Sequence, residues 1–146
     1  MLMMHGIGLR LLHRLNQHQN EMGFPMAIEI LEVNRLAEIY INYSLAEDSD
    51  KYLYDDFFDI DDLCDESPND AWVIMLKILE ITDDPKVLQV LSAGLLEDLL
   101  SIHPEKIIDY VESEAEKNPK FKDLLKGVWK SDIPDNIWNR VQKSRT

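Results

Sequence analysis

The sequence predicts an all-α fold, and three observations carry that expectation. No segment shows sustained alternation of apolar and polar residues, the period of a half-buried strand. Apolar side chains instead recur three and four residues apart throughout the chain. The prolines at 25, 68, 85, 104, 119 and 134 each precede such a stretch. Proline suits a first helical turn, because the amide hydrogen it lacks would be unpaired there in any case.

Residues 1–20 contain no acid, but hold Arg10, Arg14, His5, His13 and His18. Ile7, Leu11 and Leu15, with Leu12 beside them, make this segment an amphipathic helix candidate. Arg10 interrupts the apolar run that a secretory signal needs. Residues 1–25 are therefore read as an accessory extension or helix rather than as an address. After Pro25, Ile28, Leu31, Ala37 and Tyr40 mark a helix, its face widened by Val33, Leu36, Ile39 and Tyr43.

Residues 50–66 read DKYLYDDFFDIDDLCDE. Leu53, Phe57, Ile60 and Cys64 are spaced four, three and four apart, which is one helix face. Asp55, Asp59, Asp62 and Glu66 share the same spacing on another face. Like charges four apart repel by about a few tenths of a kcal/mol per pair, so packing of the apolar stripe must hold this helix. Its expected product is a negative ridge flanked by Tyr52, Tyr54 and Phe58.

Pro68 opens a helix with Trp72, Met75, Ile78 and Leu79 inward. Pro85 opens one with Leu88, Leu91, Leu95 and Leu99, broken or bent at Gly94. Pro104 leads to Ile107, Ile108, Val111 and Ala115, and Pro119 to Phe121, Leu124, Leu125, Val128 and Trp129. Pro134 leads to Ile137, Trp138 and Val141. Ser67, Asp84 and Asn118 stand just before prolines and suit helix caps. The last five prolines lie 17, 19, 15 and 15 residues apart, room for one short helix and a tight turn each. Successive helices are then antiparallel neighbours. The expected architecture is a single domain over residues 26–146, with about seven to eight short helices in a bundle or a short helical-hairpin (HEAT-like) array.

Composition narrows the function classes. The 146 residues are 45 % apolar and 29 % charged, the profile of a soluble globular chain of one ordinary domain. Fifteen Lys and Arg against 28 Asp and Glu give a net charge of −13. That argues against general nucleic-acid binding, which rests on cations meeting phosphates. The charge is uneven: residues 47–70 hold eleven acids and only Lys51, whereas residues 117–146 hold eight Lys or Arg against three Asp. A lone cysteine, Cys64, leaves neither an internal disulfide framework nor a cysteine zinc site. Glycine-rich phosphate loops, the H-E-x-x-H pair and a nucleophile elbow are absent from the sequence. Neither metal nor cofactor is expected, and Glu97-Asp98, adjacent on a helix, point in different directions and do not read as a catalytic pair.

The runs AGLLEDLL at 93–100, IDYVESEAEKNPKF at 108–121, LLKGVW at 124–129 and IPDNIWNRV at 133–141 belong together with the entry Asp70-Ala71-Trp72. Over about residues 68–142 the chain resembles a family of small bacterial all-helical proteins known only as a domain of unknown function. The matching residues are Trp72, Gly94, Leu96, Glu97, Asp98, Leu99, Leu100, Glu112, Ala115, Phe121, Trp129, Trp138 and Arg140. Leu95, where the family's glycine is often followed by proline, and the acidic residues 47–70 depart from the pattern. The resemblance implies helices and no established activity. Among the matching residues, Trp72, Trp129 and Trp138 suit apolar anchors pinning three helices. Arg140 suits an ion pair with Glu97, Asp98 or Glu112.

The expected function is non-enzymatic protein binding in the cytoplasm. The leading form is an immunity protein or antitoxin that occludes a basic bacterial toxin. Asp55, Asp56, Asp59, Asp62 and Glu66 would meet its cations while Tyr52, Tyr54 and Phe58 fill its pockets. The alternative is a housekeeping interaction or scaffold domain working through its carboxyl-terminal half. No nucleic acid or membrane partner is expected, and the other reading of the acidic segment is an ordinary solvated face.

Overall fold

Prolines open helices where the sequence placed them. In the computed structural model, which describes residues 29–146, Pro68, Pro85, Pro104 and Pro119 each lie in a first helical turn, and Pro134 immediately precedes another helix. The described residues form eight α-helices with one 3₁₀ and one π-helical segment, and no strand. The fold is all-α. The expected amphipathic start in residues 1–20, Pro25 and Ile28 lie outside the described residues.

Two of the three expected caps form. The Asp84 carboxylate accepts from the Lys86 amide at 2.9 Å, and the Asn118 side-chain oxygen from the Phe121 amide at 3.2 Å. Ser67 makes no such side-chain bond, its backbone lying at φ −138° and ψ 68°. There the buried Asp70 supplies negative charge to the first turn instead, where the helix dipole favours it.

The described residues divide into two compact units, 29–82 and 83–146. In the first, α1 (Ile30–Leu45), a 3₁₀ segment (Asp48–Tyr54), α2 (Phe57–Glu66) and α3 (Pro68–Ile81) follow in order. α1 packs on α3, and α2 touches both. The buried face of α1 is Val33, Leu36, Ala37 and Tyr40, while Leu31, expected inward, is exposed. Ile60, Leu63 and Cys64 turn inward from α2. Trp72, Met75, Ile78 and Leu79 do so from α3, together with Ala71 and Ile74.

In the second unit, α4 (Pro85–Leu91), a π-helical turn (Ser92–Leu96) and α5 (Glu97–Ile102) form one unbroken helical run. The expected interruption at Gly94 is thus a wider turn, not an end. An extra residue per turn shifts helical phase. That lets the consecutive Leu95 and Leu96 both be buried between Leu91 and Leu99. α6 (Pro104–Lys117) packs against α5, α7 (Pro119–Leu125) and α8 (Asp135–Ser144). Its Ile107, Ile108, Val111 and Ala115 are buried as spaced, as are Phe121, Leu124, Leu125 and Val128 after Pro119.

Two expectations fail here. Residues 50–66 are not one helix: the 3₁₀ segment ends at Tyr54, and an α-helix starts at Phe57. At this break the Lys51 ammonium folds back onto the end of α1. It donates to the Tyr43 carbonyl at 2.8 Å and sits 4.5 Å from the centre of that ring. The break resets helical phase, so Leu53 faces solvent at 58 % exposure rather than joining Ile60 and Cys64. The three tryptophans also do not form a set of buried anchors. Trp72 is in the core, Trp138 is half-buried beneath the Arg145 guanidinium, and Trp129 is 76 % exposed.

Candidate functional site

The acidic segment of the first unit is anchored by rings. Phe57 stacks on Tyr43 at 3.9 Å between centroids, and Phe58 meets both edge-on at 5.4 and 5.7 Å. Tyr40 completes the cluster 4.9 Å from Phe57. At the start of α2, the Asp56 carboxylate accepts from Arg35 at 2.7 Å, and Arg35 also holds Glu32. Burial works against the Arg35 charge, but these bonds outweigh it and raise its pKa.

This frame divides the expected ridge. Tyr52 and Phe58 project outward at 67 and 52 % exposure, and Asp62 and Glu66 are exposed as well. Tyr54, Asp55, Asp56 and Asp59 are half-buried, and the Asp56 carboxylate is paired with Arg35. Leu53, Asp61 and Asp65 complete the exposed surface. Periodicity missed Leu53, because it carried the phase of α2 across the turn at 55–56. Partial burial, then the neighbouring Asp62 and Asp65 carboxylates, push the Asp61 pKa up.

Helices α1 and α3 of the same unit border an aliphatic groove of about 340 Å³, lined by Ile30, Val33, Val73 and Leu76 among others. Asn34 also lines it and keeps a buried side-chain oxygen without a hydrogen-bond partner.

In the second unit the expected polar network separates into two. Arg140 on α8 reaches α6, donating from Nε to Glu112 at 2.9 Å and from Nη2 to Glu112 at 2.5 Å and Asp109 at 2.8 Å. The Arg140 bonds, against slight burial, hold the Glu112 pKa below its ordinary value, and the carboxylates raise that of Arg140. Glu97 is not part of this clamp. Its two oxygens accept from the Trp129 amide at 3.1 Å and the Ser131 hydroxyl at 2.9 Å, across the loop between α7 and α8. Asp98, beside it, is exposed and does not pair with Arg140 through a salt bridge.

That loop is held from several sides. Arg145 donates to the Val128 carbonyl at 3.0 Å, and Ser92, in the π turn, donates to the Leu124 carbonyl at 2.8 Å. Val128 and Ile133 are buried, and Ser131 takes φ 41°, a left-handed conformation unusual for a side-chain-bearing residue. A groove of about 440 Å³ beside the Arg140 clamp presents Glu112 and Glu116 with Lys122 and Lys143, so its charges balance. Among the described residues no group of three or more His, Cys, Asp or Glu is arranged to hold a metal. None of the described helices is long and apolar enough to cross a membrane.

Comparison with known proteins adds one finding. No curated protein matches, and no solved structure does. A family model, described as a family of unknown function (DUF6869), matches residues 44–146. It takes in the acidic segment, the Glu97–Trp129 contact and the Arg140 clamp, so both units contribute to the matched span. The sequence pattern over 68–142, the all-helical fold and this match agree: the chain belongs to the DUF6869 family.

Proposed function

We propose that this protein is a non-enzymatic binding module that neutralises a basic protein by covering it, in the manner of a bacterial immunity protein or antitoxin. One observation carries the reading. Tyr52, Leu53 and Phe58 stand exposed within a segment of eleven acids, whose single cation is turned back onto α1. An apolar surface rimmed by one sign of charge is a docking surface in chemical terms. The rings and Leu53 supply the contact that slows dissociation, and the carboxylates steer a cationic partner and speed association.

The working residues are Tyr52, Leu53, Phe58, Asp62 and Glu66, with Asp61 and Asp65 at the rim. Tyr54, Asp55, Asp56 and Asp59 support that surface from half-buried positions.

The test is capture from the native host at low and moderate salt, followed by kinetics with the purified partner. Wild type should retain one basic protein at near-unit ratio, with association slowed by salt. Asp62→Lys with Glu66→Lys should slow association by about tenfold or more, since charge complementarity acts mainly on the on-rate. Tyr52→Ala with Phe58→Ala should speed dissociation by a similar factor. A partner bound equally well by all three proteins would overturn the reading. A gene placed directly after that of a large secreted effector favours the immunity form, and a solitary, widely distributed gene favours a scaffold.

A further inference from the structure

The groove between α1 and α3 opens where the described chain begins. Ile30, the first residue of α1, lines it with Val33, Val73 and Leu76, leaving about 340 Å³ of largely aliphatic space. Ile30 is 70 % exposed, and Ile81, which ends α3, is 46 % exposed. Asn34 lines the same groove, and its buried side-chain oxygen has no donor among the described residues. A buried acceptor left without a donor is costly. Such a groove suits an occupant that brings aliphatic side chains together with an N–H group.

We propose that the occupant is the chain's own amino-terminal segment, with Ile7, Leu11 and Leu15 laid in the groove and Arg10 and Arg14 along its rim. These residues match the groove in chemistry, charge and reach. The three aliphatic residues form a stripe at four-residue spacing, and the arginines follow Ile7 and Leu11 by three, along one flank of it. Their guanidiniums carry the kind of donor that the Asn34 oxygen lacks. Charge agrees both locally and over the unit. Lys77 and Glu80 on the groove wall pair with each other, Glu29 and Glu32 stand at the start of α1, and Arg35 is already held by Glu32 and Asp56. Residues 29–82 carry fifteen acids against three Lys or Arg, whereas residues 1–20 carry two Arg and no acid. The 13 residues from 16 to 28 can extend roughly 40 Å, about twice the length of α3. Gly23 and Pro25 give that connection turn chemistry, which lets the segment run back along α1. A tether of this kind also holds the segment at about millimolar effective concentration, ahead of any free partner. A second copy is the poorer match, because it would set acidic surface against acidic surface.

The proposal does not depend on the binding function assigned to the acidic segment. Its test uses the full chain with Cys64→Ala, which removes the only natural thiol. Leu76→Cys then places a thiol in the groove, and Ile7→Cys, Leu11→Cys and Leu15→Cys each supply a second one in turn. Under mild oxidation at least one of these pairs should bridge within a single chain. His13→Cys, on the opposite side of the same helical wheel, should not. With Leu76→Cys as the only thiol, the natural segment should slow its labelling by a thiol reagent. Leu11→Asp with Leu15→Asp should speed that labelling by about tenfold, the loss expected when a tethered contact is released. Arg10→Glu with Arg14→Glu should speed it severalfold and remove its dependence on salt. Cys64 in the otherwise natural chain should stay protected in the Leu11→Asp, Leu15→Asp variant, which separates an uncovered groove from an opened fold. The proposal is overturned if no stripe position bridges better than His13→Cys, or if the bridges join two chains instead of closing within one. It is also overturned if Leu76→Cys labels equally fast with and without the aspartates, or if Cys64 loses protection to the same degree.

Discussion

Gly127 shows how closely the second unit is fitted at a single position. A Cβ built there would lie 2.9 Å from both Cβ and Oγ of Ser92, in the π turn. Ser92 is itself held by its bond to the Leu124 carbonyl, so it has little room to yield. Gly127→Ala should therefore destabilise the protein by about 1–3 kcal/mol through overpacking. Ser92→Gly removes both clashing atoms, so combining the two should cost less than the sum of the single changes. Urea unfolding of the four proteins in a double-mutant cycle measures the difference, and strict additivity would mean that the two residues do not meet. Neither side of this contact could be read from the sequence. Ser92 and Gly127 are thirty-five positions apart, and nothing in helical spacing says which small residue faces which. Trp129 was misread for a related reason. Its spacing from Leu125 is helical, but α7 ends at Leu125, so periodicity beyond that point has no face to describe.

At the scale of elements, α6 and α8 are joined by a clamp whose strength depends on proton concentration. The Glu112 carboxyl lies below its ordinary pKa of 4.5, chiefly because Arg140 hydrogen-bonds its ionised form. A depressed carboxylate stabilises the fold fully above its ordinary pKa, and that stability disappears as pH falls through the lower folded value. Arg140→Met should accordingly lower the unfolding temperature at neutral pH, and the gap from wild type should narrow as pH falls through that range. Asp61 has the opposite sign. Its raised pKa means that ionisation works against the fold, so protonation relieves first the partial burial of a charge and then repulsion from Asp62 and Asp65. Thermal melts across the acidic range for wild type, Arg140→Met and Asp61→Asn separate the two contributions. A gap between wild type and Arg140→Met that stays constant down to the lowest pH would refute the clamp. Helix existence was legible from the prolines and from apolar spacing, and Arg140 with Glu112 was among the pairings that the sequence left open. The 3₁₀ break was not legible, because it accompanies a tertiary contact, one lysine reaching back eight residues to a carbonyl in the last turn of α1, which helical spacing does not encode.

Over the whole molecule, charge divides with the units. Residues 29–82 carry fifteen acids against three Lys or Arg, and residues 83–146 carry twelve against ten. Mutual repulsion among carboxylates is thus concentrated in the first unit, and dissolved salt should screen it there more than in the second. That unit contains a built-in reporter of its own opening. Cys64 is the chain's sole cysteine and is only 2 % exposed, so a thiol reagent reaches it only when the helices around it part. The rate at which a chromogenic disulfide labels Cys64 in the native protein then reports the openings that expose the core of the first unit. Added salt should slow that labelling severalfold while leaving the rate in denaturant nearly unchanged. A rate indifferent to salt would show that the acidic segment exerts no strain on its own fold. The lone thiol, which sequence reasoning could treat only as an inert piece of core, thereby becomes a stopwatch for the half of the molecule that holds most of the charge.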